Sequence, residues 1–323
     1  MTSVTSLFAP VETDLCLLTE NLKKLVGDRH PILRAAAEHI FGAGGKRLRP
    51  ALVLLISRAT MLDQDITPRH RRLAEITEMI HTASLVHDDV VDEAEVRRNA
   101  PTVNSLYTNR IAVLAGDFLF GQSAWYLANL DNLEVVKLLS EVIKDMAAGE
   151  IQQGLNRFIT TTTIDDYLEK TYNKTASLMA NSAKAAGVLS GVSAESATNL
   201  YSYGRNIGLA FQIVDDILDF TASTEVLGKP AGSDLISGNL TAPVLYALEE
   251  KPYLEVLIER EFAQPDDIEQ AIALVMESQG IERSRALATQ HAQTAVQNLA
   301  QLKPSECTQA LIDLADYVLS RLY

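Results

Sequence analysis

The sequence predicts an all-α protein, and two observations carry that prediction. Apolar residues recur at steps of three and four through most of the 323-residue chain, and the alternating pattern of a strand is almost absent. No shift in composition separates the helical segments, so we predict a single domain over residues 1–323. Breaks between segments fall near Pro31, Gly42 to Gly45, Pro101, Gly154 and Pro230.

The first element with chemical character is a basic turn, GAGGKRLRP, at residues 42–50. It supplies Lys46, Arg47 and Arg49 beside flexible glycines, but Ile40 stands where a P-loop requires Gly, and an Arg follows the Lys where a P-loop requires Ser or Thr. An ATP cradle is therefore excluded. Taken alone, a basic segment that begins a helix after a Gly turn could equally be plain surface.

The second element is a helix predicted over residues 73–92. Most of its circumference is apolar, so the helix should be buried and its one polar stripe should face an internal cavity. His81 lies on that stripe, although a satisfied core histidine is an equal alternative. The stripe consists of Thr77, His81, Ser84, Asp88 and Asp92.

The third element is a helix ending in VDDILDF, and it repeats the same design. Small residues again precede carboxylates on one face, which is formed by Gly204, Gly208, Gln212, Asp215 and Asp219. After it comes the one stretch rich in helix breakers, residues 221–240, which has the composition of a lid-like loop between helices.

Both aspartate clusters lie towards the C-terminal ends of their helices, where the helix dipole disfavours negative charge. Burying several carboxylates costs several kcal/mol per ion or raises their pKa unless cations compensate. Asp88 and Asp92 are about 6 Å apart along the axis, so both can hold a hard cation on shared phosphate oxygens. Mg²⁺ fits best, because an EF-hand loop and a Cys or His zinc set are both missing. An isolated motif of this kind is usually a solvated helix end, but two on apolar helices argue against that reading.

Composition excludes several classes of partner. With 28 Lys+Arg against 42 Asp+Glu, the formal net charge of -14 would repel nucleic acid. The two cysteines, Cys16 and Cys307, have no metal or redox spacing and indicate a reducing compartment. The N-terminal segment has no basic region followed by an apolar core, and no apolar run approaches the length of a bilayer span. We therefore expect a cytoplasmic protein.

Eight segments together resemble the trans-isoprenyl diphosphate synthases, in the same order and over nearly the whole chain. They are GGKRLRP, HDDVVDEAEVRR, PTVN, AGD, GEIQQ, NKTASL, FQIVDDILDF and GKPAGSDL. The resemblance implies an isoprenoid synthase fold of stacked antiparallel helices around a central cavity, usually as a homodimer. It also implies three Mg²⁺ ions that bridge an allylic diphosphate to both aspartate clusters.

The same resemblance assigns site residues wherever the motifs match. The implied metal-binding set is Asp88, Asp89, Asp92, Asp215, Asp216 and Asp219. Isopentenyl diphosphate would be held by Lys46, Arg49, His81 and Arg98. The allylic diphosphate or its developing cation would be contacted by Arg97 and by the catalytic residues Lys174, Thr175, Gln212 and Lys229.

The implied reaction needs no side-chain nucleophile. A geranyl, farnesyl or geranylgeranyl diphosphate dissociates, the isopentenyl double bond attacks the resulting cation, and a proton leaves to a base such as the released pyrophosphate. The chain departs from the family pattern at Asn99, where Gly is common, and at Asn239, where many members have Lys. The second departure puts a pyrophosphate contact in doubt, although GNLTAP resembles the longer-chain synthases.

Small residues before the first motif predict a long product. Ser84 lies one helical turn before Asp88 on nearly the same face, and Ala83 lies beside Ser84. Short-chain members have bulky aromatics at these positions, whereas this small pair leaves open the passage through which the growing chain extends. The alternative is that the two residues merely allow close helix packing. By resemblance, the expected product has about eight to ten isoprene units, with solanesyl diphosphate for a quinone side chain as the best single prediction. A transient membrane contact would serve release of such a product.

Three other functions remain open at this point. One is a geranylgeranyl diphosphate synthase. Another is a class I terpene cyclase, which usually replaces the second motif, whereas here DDILD is intact. The third is a non-catalytic lipid-binding or regulatory subunit, which predicts damaged aspartates.

Overall fold

The computed structural model describes residues 7–25, 31–42, 45–97, 100–222 and 231–322. Nearly all regular structure in these ranges is helical, so the all-α prediction is confirmed. The chain divides into two units, each built from three segments. The first unit comprises Met1–Ile143, Leu178–Tyr201 and Leu299–Asp313, and the second comprises Lys144–Ser177, Ser202–Asn298 and Leu314–Tyr323.

The N-terminal half of the chain holds seven described helices and one small hairpin. A 3-10 turn at Ala9–Val11 precedes α1 (Glu12–Leu25), α2 (Pro31–Gly42), α3 (Leu48–Thr60) and α4 (Pro68–Val91). Then come β1 (Val96–Arg97), β2 (Ala100–Pro101), α5 (Val103–Leu106), α6 (Asn109–Ala128) and α7 (Leu133–Leu155). The strands pair antiparallel, with Arg97 opposite Ala100.

The C-terminal half begins with an interrupted helix. A π-helical turn at Tyr172–Ala176 separates α8 (Ile164–Thr171) from α9 (Ser177–Leu189). The remaining helices are α10 (Ala194–Thr221), α11 (Ser233–Ile236), α12 (Ala242–Leu248), α13 (Pro252–Glu259), α14 (Asp267–Glu277), α15 (Gly280–Gln297) and α16 (Glu306–Ser320). Three of the boundaries between the two units fall inside α7, α10 and α16, one falls at the start of α9, and one falls in the connection between α15 and α16.

Helix α4 begins where its sequence provides start signals. Thr67 is the N-cap and Pro68 occupies the first turn, where a missing N–H costs nothing. The capping box is unusual, because the His70 ring reaches back to the Thr67 N–H, with Nδ1 3.2 Å from that nitrogen. The helix ends at Val91, and the Asp92 N–H donates to Asp88 O at 2.8 Å.

Each unit has its own apolar core. In the first unit, α3 and α4 contribute Leu52, Ile56, Ile76 and Ile80, none of which has measurable exposure. Full burial of one such side chain stabilises a fold by roughly 1.5–3 kcal/mol. In the second unit, the middle of α10 is buried in the same way through Leu209, Ile213 and Ile217. The two helices that carry the aspartate motifs are therefore rigid, buried elements, as their sequences predict.

Candidate active site

The first unit contains a concave pocket at the C-terminal half of α4. Its walls bring together residues from the basic turn, the first aspartate motif and the hairpin. The lining side chains are His39, Ile40, Arg47, Glu78, His81, Thr82, Leu85, Val86, Asp89, Arg97, Ala100, Pro101, Thr102 and Val103. The predicted site residues His81, Asp89 and Arg97 thus share one pocket.

The basic turn takes a backbone path that sets the direction of its side chains. Gly45 has a φ of 146° and Arg47, the N-cap of α3, has a left-handed φ of 49°. The Arg47 guanidinium forms an ion pair with the buried Glu78 carboxylate and donates to Phe41 O at 2.9 Å. These contacts hold Arg47 in a conformation that a non-glycine residue adopts at a cost.

Two residues assigned to isopentenyl diphosphate meet in this unit. Arg49 Nη1 lies 3.0 Å from His81 Nε2, which places a guanidinium beside the polar stripe of α4. Lys46 lies at the exposed side of the turn. Arg98, together with Asn99, lies outside the described residues.

The first aspartate motif occupies the last turn of α4 and its cap. Asp88 is half-buried, Asp89 is buried and Asp92 is exposed. Arg97 Nε donates to Asp89 Oδ1 at 2.6 Å. Burial raises the pKa of Asp89, and the Arg97 charge opposes that shift. The sequence predicts Asp88 and Asp92 on one face but does not reveal that Asp89 is the desolvated member.

The two residues predicted to govern chain length differ in accessibility. Ala83 has no exposed surface, whereas Ser84 is half-buried and its hydroxyl donates to His81 O at 2.8 Å. Ser84 is therefore the more accessible of the two. A larger side chain at either position would enter occupied or partly occupied space.

The second unit holds the second aspartate motif at the end of α10. Arg321, near the C-terminus, pairs with Asp215 at 2.6 Å and lies over the Phe211 ring, with its guanidinium carbon 4.7 Å from the centroid. Asp219 accepts from Ser233 Oγ at 2.9 Å and from the Asp234 N–H at 3.1 Å. Part of the predicted lid segment thus caps Asp219, while Lys229 lies outside the described residues.

Asp216 and Asp219 are both buried, and Asp216 is held by two side-chain donors. Tyr167 OH donates to Asp216 Oδ2 at 2.6 Å, and Gln212 Nε2 donates to Asp216 Oδ1 at 2.8 Å. Burial raises the pKa of Asp216 to about 7, and the nearby Asp234 charge adds to that shift. Each motif therefore has at least one carboxylate that is desolvated and oriented by donors, and the second motif has two, Asp216 and Asp219.

The catalytic residues assigned from NKTASL lie in the π-helical turn. Thr175 Oγ1 donates to Gln212 Oε1 at 3.0 Å, and Gln212 in turn donates to Asp216. Lys174 pairs with Glu150 at 2.6 Å and donates to Gln153 Oε1 at 3.2 Å. A π-helical turn inside a helix frequently marks a functional site. Thr175 and Gln212 are thus in direct contact, and Lys174 precedes Thr175 in the same turn.

The donor set fits a divalent cation that is shared with a substrate. Within the described ranges, no three His, Cys, Asp or Glu side chains are grouped closely enough to form a protein-only cage. Mg²⁺ typically takes one or two carboxylates and completes its shell with water and substrate phosphates. Asp88 and Asp92 on one motif, and Asp215 and Asp219 on the other, supply carboxylates in that number.

Several site residues were not predicted from the sequence. Arg47 and Glu78 pair through the fold, although Glu78 precedes His81 by three residues and so shares its face. Lys170 precedes the NKTASL segment by about one turn and Tyr167 by nearly two, and neither belongs to a motif. Nothing in the sequence around Arg321 predicts that it pairs with Asp215.

Known proteins similar to this chain include two prenyltransferases compared by sequence and one solved structure. A Synechocystis protein named prenyl transferase is 70% identical over 323 residues, 100% of both chains. A protein from Oryza sativa subsp. japonica named solanesyl-diphosphate synthase 2, chloroplastic, is 55% identical over 99% of this chain and 80% of its own length. The crystal structure of a Caulobacter crescentus polyprenyl synthase, complexed with calcium and isoprenyl diphosphate, has a TM-score of 0.92 at 33% identity and covers 100% of this chain and 99% of that one.

Fold and site together define an all-α prenyltransferase of the isoprenyl diphosphate synthase type. The profile described as polyprenyl synthetase matches residues 30–275, and the chain belongs to that family. Members of the family use a divalent metal and isoprenyl diphosphate substrates.

Proposed function

We propose that this prenyltransferase makes a long all-trans polyprenyl diphosphate, with solanesyl diphosphate as its product. The observation that carries the proposal is the pair of intact aspartate motifs, each ending a buried helix and each with at least one carboxylate oriented by donors. The solanesyl assignment is supported by the 55% identity to a rice protein of that name. A cyclase would be expected to have a replaced second motif and a regulatory subunit a damaged one, whereas the DDILD motif of this chain is intact.

The basic turn and the hairpin would bind the diphosphate groups. Lys46, Arg49 and His81 hold isopentenyl diphosphate, with Arg98 as the fourth member of that set. Arginine suits the role because its planar fork binds phosphate oxygens in pairs. The Arg47–Glu78 ion pair fixes the turn from which Lys46 and Arg49 project.

The second set would bind the allylic diphosphate. Arg97 and Lys174 neutralise its charge, with Lys229 as a further cation. Thr175 and Gln212 present oxygens towards the allylic carbon as positive charge develops there, an arrangement of fixed dipoles that acts best in a dry site. The allylic C–O bond breaks, a C–C bond forms to the isopentenyl double bond, and the proton lost from the adduct leaves with pyrophosphate.

Magnesium ions, three in number, would be held by Asp88, Asp89 and Asp92 on one motif and by Asp215, Asp216 and Asp219 on the other. When bound, Mg²⁺ supplies positive charge to the departing diphosphate oxygens. Asp89 and Asp216 are already oriented by Arg97, Tyr167 and Gln212, so less reorganisation is needed on binding.

We further propose that the chain is a homodimer formed through α6. The exposed residues of α6 recur at helical spacing on one face, which includes Val113, Leu114 and Trp125 with exposures of 40%, 49% and 60%. Among the described residues only α6 is long and apolar enough to cross a membrane, a test that core helices also pass. A contiguous apolar face of this kind is typical of a protein interface.

The remaining expectations follow from the product and the composition. A long prenyl chain calls for brief contact with a membrane on release. The two cysteines, of which Cys307 is buried, are both free, which supports a reducing cytoplasmic location. Quinone side chains are the expected fate of the product.

The proposed function is tested by incubating purified protein with Mg²⁺, isopentenyl diphosphate and an allylic primer. We expect a linear, longer diphosphate, and we expect its formation to stop when EDTA is added to remove the Mg²⁺. A cyclic hydrocarbon would identify a cyclase, and absence of turnover with every primer would favour the non-catalytic subunit.

A further inference from the structure

Lys170 is a cation of the second unit that no motif assigned. It lies near the C-terminal end of α8, four residues before Lys174, and is half-buried. Its ammonium group donates to Asn239 Oδ1 and lies 5.6 Å from the centre of the Tyr167 ring. The same Tyr167 donates its hydroxyl to Asp216. The Tyr167 side chain therefore lies between Lys170 and Asp216, a buried carboxylate of the second motif.

Charges of both signs act on this ammonium group: Asp216, Asp234 and Glu150 attract it, and Lys174 repels it. Asp216 and Asp234 repel each other, and each attracts Lys170. Lys170 thus supplies positive charge at a place where two like charges meet in a poorly solvated environment. Lys174, one turn later, is engaged instead by Glu150.

Asn239 is fixed where it can receive that ammonium group. Its own N–H donates to Asp234 O at 2.8 Å, and Gly238 O accepts from the Phe158 N–H at 2.9 Å. Gly238 has a φ of 78°, so the turn before Asn239 is fixed by glycine geometry as well as by hydrogen bonds. The amide oxygen of Asn239 therefore serves as a preset acceptor.

Position 239 is also one of the two places where the chain departs from the family pattern, with Asn239 where many members have Lys. A lysine there would carry its own ammonium group towards the space that Lys170 now fills, and two ammonium groups could not both occupy it. Because Lys170 donates to Asn239, a positive charge lies beside position 239 although the residue there is an uncharged Asn.

We propose that positions 170 and 239 share a single ammonium site that serves the second aspartate motif, filled from Lys170 in this chain. Lys170 is a positioning residue: it compensates Asp216 and Asp234 so that the motif can hold a divalent cation together with pyrophosphate. The proposal rests on the proposed function, because it assigns Lys170 to the metal and pyrophosphate side of that site.

The test is binding of inorganic pyrophosphate with Mg²⁺, measured by calorimetry on four proteins: wild type, Lys170→Met, Asn239→Lys and the double variant. Lys170→Met should weaken binding about tenfold or more, about 1.4 kcal/mol. The double variant should recover most of that loss. Asn239→Lys alone should lower the melting temperature, because it places two cations at one site. Lys251→Met, which removes a lysine of the same unit that pairs with Glu277 at 3.6 Å, is the matched control and should bind as wild type.

Failure of this proposal is distinguishable from failure of the proposed function. If wild type binds no pyrophosphate with Mg²⁺, the proposed function fails. If wild type binds and Lys170→Met binds equally well, the shared site is wrong. A folded double variant that remains as weak as Lys170→Met would also overturn it. Should Lys170→Met fail to fold, the double variant must both fold and bind, and its failure to do so contradicts the proposal.

Discussion

At the scale of single residues, the site is defined by how its carboxylates are compensated before any substrate binds. Asp89 is paired with Arg97, Asp216 accepts from Tyr167 and Gln212, and Asp215 is paired with Arg321. Desolvated carboxylates are stable only with such partners. Asp88, Asp92 and Asp219 complete the two motifs, so the loss of one carboxylate relieves repulsion within a motif and leaves the apolar core of the helix untouched.

Asp88→Ala and Asp215→Ala should therefore lower turnover by orders of magnitude while the melting temperature stays within a few degrees of wild type. Removing one group that stabilises a transition-state charge costs about a hundredfold or more in rate. Steady-state assays in Mg²⁺ and thermal unfolding measure both effects. Asp63→Ala, at an exposed position between α3 and α4, is the control and should behave as wild type. Near-normal turnover of either active-site variant would show that the metal assignment is wrong.

Product length should respond to the residues that precede Asp88. The double variant Ala83→Phe/Ser84→Phe should shorten the product to about three or four isoprene units, because two aromatic rings would fill the passage. Ser84→Phe alone should have the larger single effect, since Ser84 is the more accessible residue. Chromatography of dephosphorylated products gives the answer, and an unchanged length in the folded double variant would exclude this passage.

At the scale of the elements, both aspartate motifs lie at the C-terminal ends of long helices. The first motif lies at the end of α4 and the second near the end of α10, as the spacing of apolar residues predicts. The π-helical turn at Tyr172–Ala176 was not predictable, because a single added residue per turn leaves no mark in apolar periodicity. The hairpin of two-residue strands is likewise too short to show alternation. Pairs distant in sequence, such as Arg321 with Asp215, depend on tertiary structure alone.

The cap of α4 gives the protein a defined sensitivity to acid. His70 is buried between Thr67 and Ser190, with ring nitrogens 2.9 Å and 3.1 Å from the two hydroxyl oxygens. Burial, aided by the Arg71 charge, lowers the pKa of His70 to about 4. The unfolded chain therefore binds a proton here near pH 6.5 and the folded chain does not, so stability is complete above pH 6.5 and is lost as the pH falls towards 4.

Replacing His70 by Gln should flatten this part of the pH dependence. The free energy of unfolding of wild type should fall between pH 7 and pH 5 by about 2 kcal/mol more than that of His70→Gln. Denaturant unfolding at the two pH values measures the difference, and every other titrating group is common to both proteins. Equal losses in the two proteins would contradict the assignment of a neutral, buried His70.

At the scale of the whole molecule, the chain reads as one enzyme of the polyprenyl synthetase family over its full length. The fold class and the two motifs were predictable, because helical periodicity and paired DDxxD segments are local signals. Which carboxylates are buried, Asp89 in the first motif and Asp216 and Asp219 in the second, was not predictable, because the Asp residues of a motif look equivalent until the helix is packed. We propose that the two units fold together as the single domain that the sequence predicts, since helices run through the boundaries between them.

Assembly should depend on the exposed face of α6. Leu114→Glu/Trp125→Glu should convert a dimer into a monomer, because burying two carboxylates in an apolar interface costs several kcal/mol. Light scattering coupled to size-exclusion chromatography measures the mass. Val256→Glu, at an apolar position exposed to 47% on α13, is the control and should remain dimeric. A monomeric wild type, or a double variant that stays dimeric, would show that α6 does not form the interface.

The length of the product tests the central claim most directly. Purified protein should be incubated with Mg²⁺, isopentenyl diphosphate in excess and farnesyl or geranylgeranyl diphosphate as primer, and the dephosphorylated products should be separated against all-trans standards. We predict a single dominant product that migrates with solanesol. A wild-type reaction that stops at the farnesyl or geranylgeranyl length with isopentenyl diphosphate still in excess would contradict the account.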